Sequence, residues 1–203
     1  DLSKGRIKFR EKYMLILASA SPRRKQLLAQ IGCVPDKIAP AEINETPKKH
    51  ELPTQYARRI AEAKAAHIAK EYPEGVVLAA DTVVACGRRI LPKAEDEKTA
   101  RKCLKLLSGR RHRVYTAVCI HTKGKVSRAL VMTQVSFRRL SEQDIAAYIA
   151  SGEWQGKAGG YAIQGKAEAF IPRINGSFSN VVGLPLSETS TMLRQFGIKT
   201  LEP

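Results

Sequence analysis

A chain of 203 residues, 43% hydrophobic and 27% charged, is long enough to bury a sizeable core and has the composition of a globular domain. Its formal charge of +16 draws it to polyanions, so nucleotides, nucleic acid and anionic lipid all qualify as partners. With no apolar run near the roughly 18–20 residues that cross a bilayer, and no apolar core with a small-residue cleavage site near Asp1, neither a membrane span nor secretion is expected.

The segment Asp1–Tyr13 holds five cations and no periodic apolar pattern, which predicts a basic, flexible extension before one domain over 14–203. Leu15 to Ala18 then run into Ser19-Ala20-Ser21-Pro22, and Leu27, Leu28 and Ile31 recur at helical spacing. This predicts a strand turning directly into a helix, with Ser21 as N-cap, Pro22 at the first helical position and Gly32 as the stop. Arg23-Arg24-Lys25 break the local rule, because cations at a helix start cost about 0.3–1 kcal/mol each. A bound phosphate resolves the conflict and makes Ser21, Arg23 and Arg24 candidate anion ligands. The plainer alternative is a solvated basic helix start.

Cys33 to Glu51 is polar and carries Pro35, Pro40 and Pro47, so loop or short edge strand is expected there, and within it Ala41 to Pro47 places two carboxylates, Glu42 and Glu45, three apart. Pro53 to Tyr72 is the clearest helix. Its stripe of Tyr56, Ala57, Ile60, Ala61, Ala65 and Ile68 is interrupted by Lys64, whose ammonium needs a partner or must snorkel past Ala65 to solvent. Val76 to Ala85 is a near-continuous apolar run, the mark of a strand covered on both faces, with Asp81 at its centre. Desolvation there makes Asp81 a candidate acid, base or ligand; the alternative is a pair with a structural arginine.

After a turn at Cys86-Gly87-Arg88-Arg89, Ile90 to Ala94 lead away with Lys93, and Glu95 to Leu107 form a second clear helix stopped by Ser108-Gly109. Val114 to Thr122 and Val126 to Arg138 read as an antiparallel hairpin about Lys123-Gly124. Ser141 to Asp144 is a capping-box pattern opening a short helix. Gly152 to Gly165 contains five glycines together with Lys157 and Gln164, a backbone able to approach a ligand closely or to act as a flexible lid. Ala167 to Ile174 is expected to be a strand, Asn175-Gly176 a tight turn and Leu186 to Phe196 the closing helix. The elements predict an α/β fold with a mixed sheet and helices packed on it. The four cysteines, Cys33, Cys86, Cys103 and Cys119, lie far apart in apolar surroundings, without zinc-site spacing, which predicts reduced thiols in a cytoplasmic protein.

Arg23, Arg24, Lys64, Lys93 and Lys157, with Glu45 and Asp81, are equipment for a polyphosphate: cations neutralise its oxygens, and carboxylates hold a divalent metal or activate water. A phosphate hydrolase is the leading expectation. The competing class is a nucleic-acid-binding or cell-division regulatory protein without turnover, suggested by the charge. Against it, aromatics are only 6% of the chain and the cations form no long stripe, so specific nucleic-acid binding is not expected.

Several blocks together resemble the Maf family of nucleoside triphosphate pyrophosphatases. They are Ser19-Ala20-Ser21-Pro22-Arg23-Arg24, Glu45, Arg59-Ile60-Ala61 with Lys64-Ala65, Ala80-Asp81-Thr82-Val83-Val84, Leu107-Ser108-Gly109 with His112, and Gly152-Glu153 through Lys157-Ala158-Gly159. The resemblance implies an elongated, two-lobed fold similar to the inosine triphosphatases, with a deep cleft, and commonly a homodimer. It also implies cleavage of a nucleoside triphosphate between the α and β phosphates with Mg²⁺ or Mn²⁺. On the matching positions Asp81 would be the proton acceptor, Glu45 and Asp81 would hold the metal, and Lys64 and Lys93 would contact phosphates. Tyr161-Ala162-Ile163-Gln164-Gly165 and Gly176 to Leu186 are similar to the dTTP/UTP branch, in which Arg23, Thr82 and Gln164 match the positions that select the base. A Gln164 amide both donates and accepts, which suits a pyrimidine edge. Two blocks depart: Leu91-Pro92-Lys93-Ala94 stands for Leu-Gly-Lys-Pro and Gly156-Lys157-Ala158-Gly159 for Asp-Lys-Ala-Gly. They leave the lysines in place and point to a broader base specificity as the alternative to a narrow pyrimidine one.

Overall fold

The structure is a computed structural model that describes residues 13–201. Of the flexible basic extension expected over 1–13, residues 1–12 lie outside the described residues. A first strand, β1 (Leu15–Leu17), leads through Ser19 to α1 (Pro22–Gln30), followed by β2 (Lys37–Ile38). A long loop then reaches α2 (Pro53–Glu71), β3 (Val76–Cys86), β4 (Arg89–Ile90), β5 (Lys93–Ala94) and α3 (Glu97–Leu107). The hairpin β6 (Arg111–Thr122) and β7 (Lys125–Ser136) precedes α4 (Glu142–Ala150) and β8 (Lys157–Ala158). β9 (Arg173–Asn175), α5 (Phe178–Val182) and α6 (Leu186–Gln195) close the chain.

The main sheet has the order β2-β1-β3-β6-β7-β9, with β4 beside the end of β3. β1 pairs in parallel with β2 and β3, and the remaining pairs are antiparallel, so the sheet is mixed as expected. β5 and β8 form a separate two-stranded sheet.

Alternation along β3 decides where its side chains go. Val76, Leu78, Ala80 and Val84 join the larger core with α1, α3 and α4, whereas Val77, Ala79 and Val83 pack under α2. Ala57, Ala61 and Ala65 of α2 meet Ala79 and Ala117 of the sheet, and small residues on both sides bring helix and sheet close. By the same parity Asp81 lies on the α2 face and Thr82 on the opposite one. α3 starts at Asp96, whose carboxylate accepts from Thr99 N–H at 2.7 Å, and α4 starts with the predicted capping box between Ser141 and Asp144.

Two expectations fail in the C-terminal half. Ala167 to Ile174 is not one strand: Lys166–Phe170 is a 3₁₀ helix and only Arg173–Asn175 pairs with β7. Ala167 and Phe170 are both buried and three residues apart, the period at which a 3₁₀ turn directs two side chains to one side. Gly176, at φ +128°, does not close a hairpin either. A Cβ there would come within 2.8 Å of Thr133 Oγ1, so glycine lets the chain pass against β7 into α5, which Ser177 caps.

Candidate active site

The strand-to-helix turn of β1 and α1, the centre of β3, the middle of α2 and the β5–β8 sheet converge on one cleft of about 530 Å³. Five of the expected cations line it: Arg23, Arg24, Lys64, Lys93 and Lys157. Both expected carboxylates, Glu45 and Asp81, line it too, as do Ser21 and Thr82. Gln164 does not: its side chain is exposed, while its neighbours Tyr161, Ala162 and Ile163 form part of the wall.

The centre is a chain of charges. Lys64 Nζ lies 2.9 Å from Glu45 Oε1 and 3.0 Å from Asp81 Oδ1, and Lys93 Nζ lies 3.0 Å from Glu45 Oε2. Lys64 therefore neither snorkels to solvent nor remains unpaired. Its side chain is 10% exposed and that of Asp81 5%, so the inner pair interacts through protein rather than water.

The two acids are driven apart. Burial lifts the Asp81 carboxyl above its ordinary value, and the nearby Lys64 and Arg24 cations oppose that lift without cancelling it. Burial also acts to raise Glu45, but the hydrogen bonds and charges of Lys64 and Lys93 outweigh it and hold Glu45 below the usual range. Relative to ordinary carboxylates, the surroundings thus favour the ionised form of Glu45 and the protonated form of Asp81.

α2 holds the opposing loop as well as Lys64. Tyr56 donates its hydroxyl to the Glu45 carbonyl at 2.7 Å, and burial pushes its pKa to about 12, which keeps it a donor. Arg59 grips both oxygens of Glu51 at 2.6 and 2.7 Å and donates to the Thr46 carbonyl at 3.1 Å. The Arg59 hydrogen bond is the main reason the Glu51 carboxyl falls to about 2. Sequence reading placed Arg59 in a motif but gave neither it nor Tyr56 a task.

At the turn into α1, the Arg24 guanidinium donates to Gly183 O at 2.8 Å, Ser19 Oγ at 3.0 Å and Thr82 Oγ1 at 3.2 Å. The missing negative group is thus partly replaced by protein acceptors. Ser21 occupies the N-cap position, but its hydroxyl makes no cap bond. Ser19 Oγ instead accepts from the Ser21 N–H at 3.2 Å as well as from Arg24. Burial lowers the Arg23 pKa; it also lowers that of Lys157, with the like charge of Arg23 adding to the effect, a repulsion that an anion in the cleft would relieve. Lys25 is exposed and off the cleft wall.

The departures from the family blocks leave the small sheet intact. Gly159 N donates to Pro92 O at 3.0 Å and Gly156 N to Ala94 O at 2.9 Å, and Lys157 Nζ is steadied by Gln155 O at 3.0 Å. Gly159 sits at φ +69°, and a Cβ there would lie 2.8 Å from Val84 Cγ1, so glycine allows the β8 end to close on β3.

The donor set fits a divalent metal that arrives with phosphate. Mg²⁺ is held by one or two carboxylates together with substrate oxygens and water, and Glu45 and Asp81 both reach the same ammonium. Among the described residues no group of three or more His, Cys, Asp or Glu side chains is arranged for a metal, and no helix is long and apolar enough to cross a membrane. The four cysteines are free; three are buried and Cys86 is partly so.

Residues 14–196 match the Maf family, described as Maf-like protein. A Paramagnetospirillum magneticum protein named dTTP/UTP pyrophosphatase is 60% identical over 185 residues, covering 91% of this chain and 97% of its own. A Rhodospirillum rubrum protein of the same name is 59% identical over 186 residues, covering 91% and 89%. Among solved structures, a HAM1 protein from Coxiella burnetii shares the fold with a TM-score of 0.52 and 16% identity, over 90% of this chain and 99% of that one.

Proposed function

Because the chain belongs to the Maf family, we propose that it hydrolyses nucleoside triphosphates between the α and β phosphates, with dTTP and UTP preferred. The observation that carries the reading is the Lys93–Glu45–Lys64–Asp81 chain of charges at the heart of a cleft whose named ionic groups are five cations and two carboxylates. That surplus of positive charge complements a triphosphate.

In this reading the cations bind and orient the phosphates, and Asp81 accepts the proton of a water that attacks the α-phosphorus. The new bond joins the water oxygen to that phosphorus, the bond from it to the bridging oxygen breaks, and pyrophosphate departs with the bridging oxygen. A Mg²⁺ or Mn²⁺ ion held by Glu45 and Asp81 would neutralise charge developing on the leaving group. Arg23, Thr82 and Gln164 are proposed to select the base, Gln164 from its exposed place beside the wall. The four free thiols suit a cytoplasmic location, and a homodimer is part of the proposal.

The test is incubation with Mg²⁺ or Mn²⁺ and dTTP, UTP, CTP, GTP and ATP in turn. Monophosphate and pyrophosphate in equal amounts, fastest from dTTP and UTP, are expected; orthophosphate as the product, or no turnover with any substrate, would contradict the reading. A pH dependence follows from the raised Asp81 pKa. Activity needs the ionised form, so it is lost as pH falls through that raised value. The acid limb of kcat/KM, extrapolated to limiting metal, should therefore lie above the ordinary aspartate value of 3.8. A limb at or below 3.8 would remove Asp81 from the role of base.

A further inference from the structure

Thr82 has a fixed hydrogen-bond polarity, imposed from behind by two buried residues, Thr116 and Asn180. The Thr116 hydroxyl lies 2.9 Å from the backbone carbonyl of Asn180, which can only accept, so the single Thr116 proton is committed to that bond. Thr116 Oγ1 also lies 2.9 Å from Thr82 Oγ1. With its own proton spent, Thr116 can only accept there, and the Thr82 proton must point at Thr116. Arg24 then donates to Thr82 Oγ1 at 3.2 Å. The relay runs one way, from Arg24 through Thr82 and Thr116 to the Asn180 carbonyl, and leaves Thr82 one lone pair and no proton for anything in the cleft.

Asn180 is locked in turn. Its side-chain amide donates to Val114 O at 3.1 Å and Thr133 Oγ1 at 3.0 Å, and its backbone N–H donates to Ser177 Oγ at 3.2 Å. Thr116 and Asn180 are both fully buried, so water does not reach the end of the relay that fixes its direction.

We propose that Thr116 and the Asn180 carbonyl are specificity-determining, because they hold Thr82 as an acceptor-only group that requires a hydrogen-bond donor from the ligand edge against it. The proposal rests on the nucleoside triphosphate reading and deepens it. Phosphate oxygens are acceptors and are turned away from Thr82, which assigns that position to the nucleoside. Thymine and uracil present N3–H as the donor at the centre of their edge; cytosine has a bare N3 there and its N4 amino donor to one side, so with N3 against Thr82 an acceptor meets an acceptor and is left unsatisfied.

The experiment compares UTP with CTP as substrates, and UMP with CMP as calorimetric ligands, for the parent protein, Thr116→Val and Thr116→Ser. Valine keeps the buried volume but takes away the acceptor that orients Thr82, freeing its proton to face the cleft. The UTP to CTP ratio of kcat/KM should fall about tenfold in Thr116→Val, the size expected for one misdirected hydrogen bond, and be restored in Thr116→Ser. The UMP to CMP affinity ratio should follow the same order, and it needs no turnover. Turnover of UTP with an unchanged ratio in Thr116→Val would overturn the relay while leaving the hydrolase reading intact. A parent protein that turns over no triphosphate and binds UMP and CMP equally would remove both.

Discussion

Asp81→Asn lowers kcat by about 10²–10⁴-fold while leaving the melting temperature at or above that of the parent protein. The two effects part company because of where Asp81 sits. Its side chain is 5% exposed, and burial disfavours its charge more than Lys64 and Arg24 favour it. A carboxylate whose folded pKa is raised is held ionised at a cost to the fold, so a neutral group of the same shape in its place does not destabilise. The asparagine carbonyl still accepts from Lys64, and Lys64 retains Glu45 at 2.9 Å, so no cation is stranded. What disappears is the group proposed to accept the proton of the attacking water. Steady-state turnover and thermal unfolding on one preparation check the claim; a folded variant with near-parent kcat would refute it.

Lys64→Met has the opposite signature, with both stability and activity falling. Methionine suits the apolar stripe of α2, but it leaves the Asp81 carboxylate buried beside Glu45 without the ammonium that bridges them. Breaking a buried pair from one side costs roughly 3–5 kcal/mol. The sign of the pH dependence follows. An acid whose folded pKa is raised further above its unfolded value destabilises the fold as pH rises above the unfolded value, so the penalty shrinks on acidification as Asp81 protonates. Turnover falls by about 10²–10³-fold through loss of phosphate stabilisation. Denaturant unfolding at neutral and acid pH measures the first effect. Adding Asp81→Asn to Lys64→Met should recover stability without recovering activity. A single variant as stable as the parent across that range would show that the pair contributes nothing to the fold.

The charged centre was legible in the sequence because its residues violate local rules: Lys64 on an apolar stripe, Asp81 in an apolar strand, and Arg23 and Arg24 at a helix start. Periodicity likewise located α2, α3 and the hairpin. The parts that escaped carry no such violation. Thr116 is a threonine in a strand, where threonine is ordinary, and its importance arises only from the cross-strand partner Thr82 and the Asn180 carbonyl. α5 is five residues long, too short to show a helical period, and the 3₁₀ helix at Lys166–Phe170 presents a spacing that a strand template misreads. The tasks of Tyr56 and Arg59 depend on how a proline-bearing loop folds back over α2, which no spacing along the chain encodes.

Hydrolysis of dTTP or UTP in H₂¹⁸O, with the products resolved by mass spectrometry, tests the central claim most directly. Attack of the water near Asp81 on the α-phosphorus puts one ¹⁸O in the monophosphate and none in pyrophosphate. Label in pyrophosphate, or release of labelled orthophosphate, would mean that the cleft presents a different phosphorus to its base.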